Sequence, residues 1–285
     1  MPHSAVTVVQ VDKVTTAQNG IAGNAVSRAD DMLAVEEPLE IRIGYGTEGN
    51  RLIKSISVTM CTPGNDFELA AGFLFTEGII SQASDILTLR YAEGGNPDDR
   101  VVVVELKPGI LFDPQKTERN FYTTSSCGVC GKSSISAIKN NISPSGDTGL
   151  QVPASLLTRL PDLLRKRQEV FEHTGGLHAS AIFNTEGKLL LCREDVGRHN
   201  ALDKLIGAAF LNEELPLNRH ILLLSGRASF ELLQKAAMAG ICIIGAVGAP
   251  SSLAVETAIE LHITLAGFLR DNRFNIYSGP QRIQC

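Results

Sequence analysis

From Glu37 onward, apolar and polar residues alternate in two different rhythms, and the rhythms divide the chain. PLEIRIGY, the turn GTEG and RLIKSISVTM alternate around a glycine-containing turn, which predicts a β-hairpin. Asn65 then reads as a helix N-cap, with Glu68 three residues on to close a capping box. The helix it starts, DFELAAGFLFTEG, is expected to end near Gly78, and ILTLRYAEG and RVVVVELKPG add two strands. Together these make a small α+β domain over residues 35–108. Residues 1–34 mix Ala, Thr, Asn and Asp without clear periodicity and read as a flexible, loosely held tail.

Residues 109–150 form a connector that ends in the Ser/Pro/Gly-rich stretch NNISPSGDTG. The domain over 151–285 opens with a helical run, ASLLTRLPDLLRKRQEVF. A hairpin (ASAIF, NTEG, KLLLCRE) and a helix (HNALDKLIGAAF) follow. ILLL-SGRAS-FELLQKAAMAG and ICIIGAV-GAPSS-LAVETAIELH each place Gly and Ser between a β-rich run and a helix. Consecutive units of this kind imply parallel strands joined by right-handed crossovers. The order of elements predicts an α/β protein whose second domain is a three-layer sandwich with a mixed sheet.

Composition changes this picture little. The chain has 285 residues, 44% of them hydrophobic and 20% charged, enough for a substantial core of one or two domains. With 5% aromatics and no Trp, that core must rest on Leu, Ile, Val and Ala. A net charge of −5 argues against nucleic acid as a partner, because phosphate binding favours a basic surplus. The longest uncharged stretch, Ala236 to Val255, contains Gly, Pro and a Ser-Ser pair; it reads as strand, loop and helix start rather than a membrane span. The N-terminus lacks a charged start followed by an apolar core and cleavage site, and six Cys are too sparse for a disulfide scaffold. A cytoplasmic location with free thiols is the expectation.

The most informative segment is FYTTSSCGVCGKSSISAIK, where Cys127 and Cys130 stand two residues apart among Ser, Thr and Gly. The thiolate is the reactive form, and a free Cys with pKa about 8.5 is only slightly ionised at neutral pH. A helix N-terminus contributes roughly 0.3–1 kcal/mol, under one pKa unit, so Lys132 or another basic group must add to it. Three chemistries fit the pair. Structural zinc needs about four ligands, and Cys192, His173, His178 or His199 would have to complete the set. A redox pair usually sits between a strand and a helix. Covalent sulfur carriage needs only an exposed thiol, and spacing alone does not choose among the three. A zinc deaminase site is excluded: no His is followed two residues later by Glu, and Ser126 stands where Pro would precede Cys127.

The strings TPGNDFELAAGFLFTEGII, TSSCGVCGK, TGGLHASAIF, REDVGRHNALDKLIG, SGRASFELLQKA, AVGAPSSLAVETA and GFLRDNRFNIYS, in order from about Glu37 to Ser278, resemble the formate dehydrogenase accessory sulfurtransferases, the FdhD family. The resemblance implies a homodimer with a cytidine-deaminase-like C-terminal domain. It implies a sulfurtransferase-like persulfide carrier acting between a cysteine desulfurase and the bis-molybdopterin guanine dinucleotide molybdenum cofactor, as bound substrate, ahead of formate dehydrogenase. By the same resemblance Cys127 is the persulfide carrier and Cys130 its second cysteine. Phe268, Leu269, Arg270, Asp271, Asn272 and Arg273 match the segment that contacts the guanine nucleotide. That chemistry is reasonable: arginines present fixed forks of donors to phosphates, and Phe268 can pack on a flat ring or sit in a core. Cys61 departs from the family pattern, which has a basic residue there in many members; a buried structural thiol is the plain reading.

Arg227 in SGRAS and Ser251-Ser252 in GAPSS lie where loops meet helix N-termini, natural anion sites, although capping explains the serines equally well. His199 reads as a hydrogen-bonded structural residue or a base, and Asp195, beside Arg193 and Arg198, as an ion-pair cluster. Two other functions stay open: a cofactor chaperone without sulfur chemistry, and a zinc-stabilised interaction module.

Overall fold

Alternation around the first glycine turn does produce a hairpin, β3 (Glu37–Thr47) and β4 (Asn50–Cys61), and it lies inside a four-stranded sheet. The computed structural model describes residues 4–16, 25–93, 100–113, 149–270 and 272–285. Ahead of the hairpin, β1 (Val6–Thr15) and β2 (Ala25–Ala34) pair as an antiparallel ribbon, where the sequence suggested a loose tail. The reason is compositional. Valines and threonines favour extended backbone, but both faces of the ribbon are largely exposed, so no hydrophobic alternation is imposed on the sequence.

The four-stranded sheet has the order β4-β3-β6-β5, with β5 (Ile86–Tyr91) and β6 (Val101–Leu106). Helix α1 (Asp66–Thr76) joins the same core: Leu69, Ala70 and Leu74 cluster with Ile41, Ile43, Val102 and Val104. The expected capping box is absent. Asn65 has left-handed backbone (φ 58°) and caps nothing with its side chain. Glu68 instead takes a forked pair of bonds from Arg193, one of them 2.7 Å, and Asp66 takes Arg100 at 2.6 Å.

The larger sheet has six strands in the order β13-β12-β11-β10-β8-β9. Its members are β8 (His178–Phe183), β9 (Leu189–Asp195), β10 (Ile221–Leu224), β11 (Ile243–Ala246), β12 (Thr264–Arg270) and β13 (Arg273–Ser278). Strands β10, β11 and β12 run parallel, as the repeated strand-loop-helix units predict, and β8, β9 and β13 make the sheet mixed. Two short strands, β7 (Val152–Pro153) and β14 (Ile283–Gln284), pair beside it.

Helix α2 (Ala154–Arg165) covers one face through Leu156, Leu157, Leu160 and Leu164, a stripe at helical spacing that meets Ala181, Phe183, Leu223 and Ile243. Helices α4 (Arg198–Leu211), α5 (Phe230–Met238) and α6 (Ser252–Glu260) cover the other with Leu202, Leu233 and Ala258 against Leu222 and Ile244. This is the three-layer α/β/α arrangement with a mixed sheet that the sequence and the resemblance both led to expect. The helical run ahead of the β8–β9 hairpin is broken, however: α2 ends at Arg165 and α3 spans Glu169–Thr174, with Gln168 buried at the break. Ala236–Val255 is the end of α5, buried β11 and the start of α6. Among the described residues, no helix is long and apolar enough to cross a membrane.

The boundary near residue 108 separates two sheets but not two cores. Helices α1 and α4 cross at Gly72 and Gly207, so closely that a Cβ on Gly207 would lie 1.8 Å from the Glu68 carbonyl oxygen. A Cβ on Gly72 would lie 1.9 Å from that of Asp203. One hydrophobic cluster therefore runs from Leu39 in the small sheet to Leu265 in the large one.

Candidate functional site

Parallel strands place the loops that follow them at one edge of a sheet, where α/β proteins take their ligands. Here the loops after β10 (SGRAS) and β11 (GAPSS) are zipped together by their backbones. Gly248 N donates to Gly226 O at 3.0 Å, Ala228 N to Ala249 O at 3.2 Å and Ser251 N to Ala228 O at 3.0 Å. Phe268 N extends the layer by donating to Gly248 O at 3.1 Å. Ser251 caps α6 through Ala254 N at 3.2 Å, while Ser229, ahead of α5, makes no such cap and lies 3.4 Å from His199 Nε2. Arg227 is exposed at the tip of its loop.

Under these loops lies a cavity of about 500 Å³ whose lining includes Gln168, Phe171, Leu177, His178, Ser225 and Val247. Burial, with the charges of Arg198 and Arg227 added, pushes His178 below the ordinary histidine range. His199, one layer away, is pushed down to about 3 by burial first and then by Arg198 and Lys235. It is therefore a neutral ring, and Glu231 at 3.3 Å is a hydrogen-bonding neighbour rather than an ion-pair partner. That geometry supports the structural reading of His199.

The segment matched to nucleotide contact is the β12–β13 hairpin. Phe268, Arg270 and Arg273 border a hollow of about 260 Å³ together with Phe274 and Asn275. The Arg270 guanidinium lies 6.0 Å from the Phe268 ring centre. Phe268 and Asn272 both have left-handed backbone (φ 56° and 62°), and the strand register slips between Gly267 and Arg270. For a bulky residue such as Phe268 that conformation costs on the order of 1–3 kcal/mol, strain of the kind that gathers at functional sites. Leu269 points the other way. It is fully buried in the α2-side core, where a Cβ on Gly245 would come within 3.1 Å of it, so its side chain serves packing. Asp271 lies outside the described residues.

Asp195 does not pair with its neighbouring arginines. Its carboxylate takes Lys204 at 2.7 Å, Thr62 N at 3.1 Å, Gly197 N at 2.8 Å and Asn200 Nδ2 at 3.1 Å. Lys204 in turn donates to Thr62 O at 2.8 Å and Asn200 to Met60 O at 2.8 Å. The string REDVGRHNALDK thus fastens the end of β4 to α4 and is architecture rather than chemistry.

Cys127 and Cys130 lie outside the described residues, so the thiol chemistry is approached from the other cysteines. Cys61 is fully buried and burial pushes its thiol up to about 11, the structural role expected for it. Burial likewise pushes Cys192 up to about 12. Cys242 is buried with its Sγ 3.2 Å from Asn218 O, and Cys285 is exposed. Among the described residues, no group of three or more His, Cys, Asp or Glu is placed to hold a metal ion.

Residues missed by sequence reasoning are Gln168, Phe171 and Ser225. Gln168 sits in the charged run RKRQE, and nothing in that pattern signals that it turns inward.

Residues 34–284 match the model of the FdhD/NarQ family. The chain is 50% identical over 269 residues to a protein of Streptomyces coelicolor named sulfur carrier protein FdhD, covering 92% of this chain and 93% of that one. A protein of the same name from Mycolicibacterium paratuberculosis is 50% identical over 268 residues, with 92% and 95% covered. One from the more distant Picrophilus torridus is 42% identical over 253 residues, with 89% and 92% covered. Among solved structures, one described as a formate dehydrogenase accessory protein, from Desulfotalea psychrophila, superposes with a TM-score of 0.70 at 23% identity, covering 97% and 99%. That likeness concerns the fold. On the family match and the extent of these identities, the chain belongs to the FdhD/NarQ family.

Proposed function

We propose that this protein carries sulfur as a persulfide on Cys127 and passes it to the bis-molybdopterin guanine dinucleotide form of the molybdenum cofactor, its substrate, before that cofactor enters formate dehydrogenase. The observation that carries the reading is half-identity, over nearly the whole chain, with relatives named sulfur carriers. The described thiols support it by elimination. Cys61 and Cys192 are held protonated by burial and Cys242 is enclosed, which leaves the cysteine pair and exposed Cys285 as candidates.

The first step balances as a thiol exchange. The Cys127 thiolate attacks the outer sulfur of a desulfurase persulfide, the S–S bond there breaks, and the desulfurase cysteine leaves as a thiolate. In the second, a Cys130 thiolate attacks the inner sulfur and expels the outer one as hydrosulfide for molybdenum. The two thiols are thereby oxidised to a disulfide and the sulfur is reduced; a dithiol reductant resets the pair. A reducing cytoplasm suits such a cycle. Arg270 and Arg273 hold the nucleotide phosphates, and the protein works as a homodimer.

The test is activation of formate dehydrogenase in cells that lack the native protein. Cys127→Ala should abolish activation while the chain stays folded and dimeric, and Cys285→Ala should activate normally. Full activity of Cys127→Ala sinks the proposal, and so does its failure to fold, which would make Cys127 structural.

A further inference from the structure

The β1–β2 ribbon lies ahead of residues 34–284, which match the family, and takes no part in the sulfur steps above. Residues directly opposite in an antiparallel pair share a face, so the register sorts the ribbon into two faces. One carries Val9, Val11, Ala29 and Asp31 and is partly covered, and β2 holds the ribbon against α3. Charge on that face is settled within the chain, with Lys13 Nζ 3.7 Å from the Asp31 carboxylate. The other face is left open. It has two apolar rows, Val8 opposite Met32 and Val14 opposite Val26, whose four side chains are 44% to 66% exposed. Between them run two polar rows, Gln10 opposite Asp30 and Asp12 opposite Arg28. Among the described residues, Asp12, Asp30 and Arg28 have no ion-pair partner. Apolar rows held out to water around unpaired charges mark a surface made for contact.

We propose that this open face binds the same face of a second copy of the chain. Its pattern is self-complementary, as an interface about a two-fold axis has to be. With the axis along the strands, each ribbon lays Val8 on the other's Met32, Val14 on its Val26 and Asp12 on its Arg28. With the axis across the strands, between the two polar rows, Val8 meets Val14, Met32 meets Val26 and Asp30 meets Arg28. In both arrangements apolar rows cover apolar rows and each arginine meets a carboxylate. A partner of another kind would require no such symmetry. The face is about 33 Å long and about 10 Å wide. Two of them bury on the order of 700 Å² in total, at the weak end of specific interfaces, so the association is reversible and in the micromolar range. The contact lies outside the family core and adds to any interface that core makes.

Sedimentation of the full chain over a concentration series spanning the micromolar range tests this. The unaltered protein should show a reversible association step. Arg28→Asp places carboxylate against carboxylate in either arrangement, and the double variant Asp12→Arg, Asp30→Arg places arginine against arginine. Each should weaken the step at least about tenfold, and an equimolar mixture of the two should restore it, because every reversed charge then meets its opposite. Restoration also shows that the ribbon survives each reversal, which circular dichroism checks independently. Val8→Lys should weaken the step by removing an apolar contact. The proposal is overturned if the unaltered chain shows no such step, if the step persists undiminished in both charge variants, or if mixing them restores nothing. It is also overturned if self-association is unaltered in Arg28→Asp and Val8→Lys while both lose activation of formate dehydrogenase in cells, because the face then meets a different protein.

Discussion

Replacing Asp195 by Asn changes one atom's charge in the clamp between β4 and α4, and the structure sets the size of the effect. Asp195 and Lys204 side chains are 0% and 2% exposed, 2.7 Å apart. The shape is conserved, so no cavity opens. The Asn amide can still accept from Gly197 N and Asn200 with one oxygen, but its NH₂ would face Lys204 and Thr62 N, both donors. Lys204 is then a buried charge without its counter-charge, a defect that costs about 3–5 kcal/mol. With a urea dependence of roughly 1–3 kcal/mol per molar, the unfolding midpoint should fall by about 1–2 M or more. The control is Arg42→Ala, which breaks an ion pair with Glu40 whose side chains are 36% and 23% exposed; its cost should stay below about 1 kcal/mol. Equilibrium urea titration of both variants by circular dichroism makes the comparison. A loss below about 1 kcal/mol in Asp195→Asn refutes the clamp, because Lys204 would then have another partner or the β4 end would not depend on it.

Two further outcomes follow. His199 is held at about 3 in the folded chain, well below the ordinary histidine value, so the unfolded chain binds the proton that the folded one refuses. Stability should therefore fall as pH drops below about 6.5, by up to about 1.4 kcal/mol per unit, or roughly 2 kcal/mol by pH 5. His178 and His220, also lowered by burial, add with the same sign. His199→Gln should flatten the decline in urea midpoints across that window, and an unchanged slope would show that His199 does not carry it. The two cysteines should also behave unequally: Cys130→Ala should accept a persulfide and hold it longer than the unaltered protein once the desulfurase is removed. Sulfide release over time measures this, and equal rates would mean that Cys130 is not a resolving thiol.

What the sequence disclosed follows from which interactions are local. The β3–β4 hairpin and the two strand-loop-helix units are written in short-range alternation and glycine turns, and they fold as read. The capping box at Asn65 does not form, because Asn65 has left-handed backbone and Glu68 is taken by Arg193 from a distant part of the chain. The β1–β2 ribbon escaped notice because it buries neither face deeply. Asp195 was misassigned for the same reason as the cap: its partner, Lys204, becomes a neighbour only once α4 turns back. In the matched segment, alternation separates exposed Arg270 from buried Leu269, a distinction that a run of six contact residues conceals. Gln168 was illegible, since its burial depends on a helix break inside a charged run.

The central claim is that sulfur rides on Cys127. Purified protein is incubated with a cysteine desulfurase and cysteine, then digested without reductant, and the peptide containing Cys127 and Cys130 is weighed and fragmented. The account predicts a mass gain of one sulfur atom on Cys127, removed by a thiol reductant and absent when the desulfurase is omitted. Sulfur found on Cys130 with Cys127 unmodified, or no gain on either cysteine while the desulfurase is turning over, would contradict it.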